Sequence, residues 1–192
     1  MVFKENYLDP DQIKDSIRLI KRMAADQGLD VVLIGGVALQ IYGSPKFTKY
    51  VDFAISSLPE DVGPLRKMSK ISFGGERYSA PNGAKIDLVV RNDEYTKLYQ
   101  EAMENAIDSP AGIPIVTPEY LAVMKLAAGR EHDILALKWM VRQQDLLDVK
   151  KARKIAYKML GRFGQDRFDD AVDQAMIELE MQKKRGRHPE EE

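Results

Sequence analysis

Val31-Val32-Leu33-Ile34-Gly35-Gly36-Val37-Ala38-Leu39-Gln40-Ile41-Tyr42-Gly43 opens with four apolar residues, two of them β-branched at the start, breaks at a glycine pair, and resumes as a short apolar stretch ending at a third glycine. The run is too short for a buried helix and suits a buried strand. The glycines suit a tight turn into a short helix. Just upstream, Asp9-Pro10 precedes Ile13, Ile17, Ile20 and Ala24, with Gly28 beyond them. That spacing predicts an amphipathic helix capped by Asp9 and stopped at Gly28. Downstream, residues 50–56 alternate: Val51, Phe53 and Ile55 fall on one face of a strand, with Tyr50, Asp52 and Ala54 on the other. One carboxylate thus sits mid-strand among apolar neighbours.

Residues 58–70 read as weakly helical, interrupted at Gly63-Pro64. Residues 71–73, 76–80 and 85–90 then read as strands joined by tight turns at Gly74-Gly75 and Asn82-Gly83, a small meander. In the last of these Ile86, Leu88 and Val90 share a face, and Asp87 stands on the opposite one beside Lys85 and Val89. Residues 93–106 are expected to be helical and 113–116 extended. Thr117-Pro118-Glu119 resembles a helix start, with Thr117 as cap. Four helices are predicted beyond it, 118–128, 132–142, 145–160 and 166–184, parted at Gly129, Gln143-Gln144 and Gly161. Asp133, Asp145 and Asp148 read as caps or helix-surface charges, with Asp145 placed to cap the helix after the Gln-Gln break, and Lys125 and Arg130, five apart, read by spacing alone as helix-surface cations. The expected fold class is α/β (α+β): a small mixed sheet flanked by helices over 1–116, a C-terminal helical region packed on it over 117–185, and a disordered tail over 186–192.

Composition limits the chemistry. The 192 residues include no Cys and two His, which excludes disulfides, a thiol nucleophile and a cysteine-ligated metal. No apolar run approaches the ~20 residues of a membrane span. The first residues lack a basic segment followed by an apolar one, so a cytoplasmic location is expected. With 29 Lys+Arg against 30 Asp+Glu, the chain is not a uniformly basic nucleic-acid binder. The balance is not local: residues 149–167 carry Lys150, Lys151, Arg153, Lys154, Lys158, Arg162 and Arg167 against Asp166 alone, whereas 86–119 hold seven acids and two bases. The basic segment is suited to RNA, to an acidic protein partner, or to the protein's own acidic side.

The motifs Ile34-Gly35-Gly36-Val37-Ala38-Leu39, Phe47-Thr48-Lys49-Tyr50-Val51-Asp52-Phe53 and Lys85-Ile86-Asp87-Leu88-Val89-Val90 resemble the core of the DNA polymerase β-type nucleotidyltransferase superfamily. Lys125 to Arg130 with Asp133, followed by Arg142 to Asp148, is similar to the helical motifs of its AbiEii-like branch, known from type IV toxin–antitoxin systems. The resemblance implies that Gly35, Gly36 and Thr48 bind the phosphates of an NTP and that Asp52 and Asp87 are catalytic ligands of Mg²⁺. It also implies that Lys125 and Arg130 supply cations to the triphosphate. Two metal ions would clamp the attacking and leaving oxygens of the displacement, and three carboxylates would hold them.

The family pattern asks for Asp-x-Asp on the strand, and this chain has Tyr50-Val51-Asp52. Phenols are uncharged near neutrality and ligate Mg²⁺ poorly. The period of two still points Tyr50 and Asp52 to the same side, so a ligand is missing from an aligned site. Glu60 and Asp61 in the next loop are the candidates to replace it. Two functions follow. One is Mg²⁺-dependent transfer of NMP from an NTP to an RNA or protein hydroxyl. The other is a non-catalytic binding or regulatory module of the same fold. The tyrosine favours the inactive or impaired form.

Overall fold

The computed structural model describes residues 7–185, so the expected tail over 186–192 lies outside the described residues. The chain divides into two compact units between Thr117 and Pro118. In the first, α1 (Pro10–Asp26) begins with a capping box: Asp9 Oδ1 accepts from the Gln12 N–H at 2.8 Å and Gln12 Oε1 accepts from the Asp9 N–H at 3.1 Å. It buries Ile17, Ile20, Met23 and Ala24. Then come β1 (Val31–Ile34), α2 (Gly35–Ile41), β2 (Val51–Ile55), β3 (Arg66–Lys70), β4 (Glu76–Ser79), β5 (Lys85–Val89) and α3 (Thr96–Glu104).

The strands form one mixed sheet in the order β1-β2-β5-β4-β3. β2 and β5 are parallel, and the other pairs are antiparallel. Beyond β1, Ile115 makes a parallel bridge to Leu33 and an antiparallel one to Ile107, which covers that edge. Paired residues share a face, so the register sorts the sheet. One face carries Leu33, Val51, Phe53, Ile86, Leu88 and Tyr78, all buried. The other carries Tyr50, Asp52, Lys85, Asp87, Arg77 and Ser79, together with the buried Val32, Ile34, Ala54 and Val89. The polar half of this second face is the candidate site.

Two expectations fail here. Residues 66–70 are not helical but an edge strand. All five side chains are exposed, so no periodicity of two marked the strand, and its Lys and Arg residues suit an edge that must not recruit another strand. Residues 71–73 are the turn between β3 and β4, closed by the Gly74 N–H on the Ile71 carbonyl at 3.0 Å.

The second unit contains α4 (Pro118–Ala128), α5 (Glu131–Arg142) and α6 (Val149–Arg185). Thr117 does not cap α4 with its side chain: its hydroxyl is buried and makes no hydrogen bond. Asp145 adopts φ 61° in the turn after α5. The cap of α6 is Asp148, whose Oδ1 accepts from the Lys151 N–H at 2.9 Å.

α6 is not one straight rod. At 1.5 Å per residue, residues sixteen apart would stand about 24 Å apart in a straight helix. Yet Arg153 NH2 lies 2.8 Å from Asp169 Oδ2. Gly161, with φ 69° and ψ −167°, folds the second half back on the first, as the break expected there requires. The first half buries Ala152 and Ala156, and the second half buries Phe168, Ala171 and Ala175.

Candidate functional site

Gly35 follows β1 and opens α2 with φ 71°, a conformation L-residues rarely adopt. A Cβ built there would lie 2.1 Å from Asp52 Oδ2, because Ile34 and Asp52 are register partners. A Cβ on Gly36 would lie 2.6 Å from Thr48 Oγ1. The Thr48 hydroxyl in turn donates to the Tyr50 carbonyl at 3.0 Å and accepts from the Tyr50 N–H at 3.3 Å. The glycine pair therefore gives clearance to the chain's own Asp52 and Thr48 side chains. Gly35, Gly36, Thr48, Tyr50 and Asp52 come together as one corner of the site.

Asp52 and Asp87 are direct neighbours across the parallel β2–β5 pair. Opposite Asp87 across the antiparallel β4–β5 pair stands a residue that sequence reasoning missed, Arg77. Its Nε donates to Asp87 Oδ1 and its NH2 to Asp87 Oδ2, both at 2.7 Å, a bidentate pair. The Arg77 side chain is 31% exposed and the Asp87 side chain 10%. The same guanidinium lies 4.2 Å from the centroid of the Tyr50 ring, with Lys85 Nζ 5.6 Å from that centroid. The hydrogen bonds to Asp87, outweighing partial burial and aided by the nearby Tyr50 and Asp52, hold the Arg77 guanidinium even more firmly protonated than usual. Arg77 was legible in principle. The turn centred on Asn82 sets the β4–β5 register, and counting outward equally from it pairs Arg77 with Asp87.

A divalent magnesium ion needs several oxygens converging on one point, with near-octahedral freedom around it. Both oxygens of Asp87 face a guanidinium, and the position that would supply the second strand carboxylate is an aromatic ring covered by the same cation. Among the described residues no group of three or more His, Asp and Glu stands where it could hold a metal ion together. The residues present do not fit a pair of Mg²⁺. Glu60 and Asp61 do not complete the set. Their backbone N–H groups bond to Gln27 Oε1, which ties their loop to the Val31–Ile55 end of the β1–β2 pair, whereas Asp52 lies at the Ile34 end.

Lys125 and Arg130 belong to the second unit. Five positions apart, they read as unrelated surface cations, but Gly129 turns the chain and both reach Asp133. Lys125 Nζ is 2.8 Å from Asp133 Oδ1 and Arg130 Nε is 2.6 Å from Oδ2. Asp133, expected as a cap or a surface charge, is instead fully buried. Burial pushes its carboxyl up, and the charges and hydrogen bonds of Lys125 and Arg130 more than reverse this, leaving it below the ordinary range.

No family model matches the chain, and no curated protein matches it in sequence. Among solved structures, the chain is similar to the crystal structure of an antigenic nucleotidyltransferase-like protein from Paracoccidioides brasiliensis, with 14% identity and a TM-score of 0.47 over 87% of this chain and 94% of that one. It is also similar to the solution structure of antibiotic-resistance factor ANT(2'')-Ia, with 12% identity and a TM-score of 0.43 over 90% of this chain and 99% of that one. No helix among the described residues is long and apolar enough to cross a membrane.

Proposed function

We propose that this chain is a nucleotidyltransferase-fold protein of the AbiEii-like kind whose metal site has been replaced by an arginine, and that it works as a non-catalytic binding or regulatory module. The motifs 34–39, 47–53 and 85–90 support the fold reading, since they fall on β1–α2, β2 and β5 in the order that resemblance requires. The observation that carries the loss of activity is the bidentate Arg77–Asp87 pair stacked on Tyr50. Two-metal phosphoryl transfer needs cations that bridge substrate oxygens. A guanidinium balances the carboxylates' charge but is covalently tethered and has no open coordination position to offer a substrate.

The full-length protein, incubated with MgCl₂ or MnCl₂ and each of four α-labelled NTPs, is expected to transfer no label to bulk tRNA or to itself. Calorimetric titration with MnCl₂ is expected to give no site-specific heat. Tyr50→Asp alone is expected to restore neither, because Arg77 still holds Asp87. Labelling by the unmodified protein that Asp52→Ala abolishes would overturn the proposal.

A further inference from the structure

The first half of α6 buries Ala152, Ile155 and Ala156 and turns Lys150, Lys154, Tyr157 and Lys158 to solvent. These four fall at i, i+4, i+7 and i+8, which makes one stripe along the helix. The stripe ends at the Gly161 corner, where Phe163 is 73% exposed, with the Arg167 guanidinium 5.8 Å from its ring centroid. Tyr157 is 56% exposed. No Asp or Glu occurs from Val149 to Gln165. Of the segment's other cations, Arg162 pairs with Asp166 at 2.9 Å and Arg153 with Asp169 at 2.8 Å.

We propose that this stripe and corner are a docking surface for a single-stranded nucleic acid, with the phosphate backbone along Lys150, Lys154 and Lys158 and a base against Phe163. An acidic protein would account for the cations but not for a phenylalanine held out at the tip. An apolar partner would account for Phe163 and Tyr157 but not for the cations set between and around them. A strand that joins an anionic backbone to flat aromatic bases accounts for both, and a duplex would hide the base faces. The i,i+4 lysines rise about 6 Å at each step, comparable with the separation of successive phosphates. The proposal is independent of whether the Arg77 site is catalytic.

The test is fluorescence anisotropy with the full chain, using a labelled twelve-nucleotide oligouridine and the matching oligodeoxythymidine, over a salt series. Both are expected to bind. The Lys150→Gln, Lys154→Gln, Lys158→Gln triple variant is expected to lower the log-log salt slope by about 2, as three lost single-strand phosphate contacts would. Phe163→Ala is expected to weaken binding about tenfold with the slope unchanged. The two variants touch different groups, so misfolding of one, visible by circular dichroism, leaves the other to decide. Failure of either strand to bind at low salt, equal affinity for a duplex or for a polyglutamate peptide, or unchanged binding in a folded variant would overturn the proposal.

Discussion

Arg77→Ala gives the strongest test of the view that a side chain stands where a metal ion would. Asp52 and Asp87 are register partners on adjacent strands, which lie about 4.8 Å apart. Two like charges about 5 Å apart at an effective dielectric constant near 20 repel by about 3 kcal/mol. The lost ion pair points to a similar size: it is neither an exposed pair, worth at most about 1 kcal/mol, nor a fully buried one, whose breakage costs about 3 to 5. A loss of about 3 kcal/mol corresponds to a fall of roughly 6 to 12 °C in melting temperature for a chain of this size. If the cluster needs a cation there, 10 mM MnCl₂ acting with a Kd near 1 mM would return about 1.4 kcal/mol to the variant. The unmodified protein would gain nothing. Arg77→Lys, which keeps a charge but not the fork, is expected to fall between the two. Thermal and urea denaturation with and without MnCl₂ read all three. An Arg77→Ala variant within 1 kcal/mol of the parent, or equal stabilisation of both by Mn²⁺, would refute the reasoning.

Two further outcomes follow from the same geometry. Gly35→Ala would force an L-residue to φ 71° and put its Cβ 2.1 Å from Asp52 Oδ2, so a loss of at least about 2 kcal/mol is expected in urea denaturation, and less than 1 would show that the strand end adapts freely. Asp133→Asn removes the buried anion that Lys125 and Arg130 share and is expected to cost about 3 kcal/mol near neutral pH. Because the folded state holds this carboxyl below its ordinary value of 3.8, its contribution is complete above that pH and is lost as pH falls further. The gap in urea midpoint between parent and variant should therefore narrow below about pH 4, and a gap constant down to pH 2 would contradict the assignment.

What could be read from the sequence was what burial had written into it. Val31 to Ile34, the alternation around Asp52 and Asp87, and the glycine breaks all reflect a side chain forced inward or a backbone forced out of the common conformations. β3 was missed because nothing along it is buried. Asp133 was misplaced because a buried acid with two cations around it has the same local sequence as a surface charge. Arg77 was overlooked for a third reason: its meaning lies across a hairpin, and only the register set by the turn at Asn82 joins it to Asp87.

The corner at Gly161 sets where the second half of α6 runs. Helical backbone angles at this one position would turn Val149–Arg185 into a rod about 55 Å long. Arg153 and Asp169, 2.8 Å apart across the fold-back, would then stand about 24 Å apart along the axis. A single glycine thus decides whether the two halves of α6 lie alongside one another or end to end.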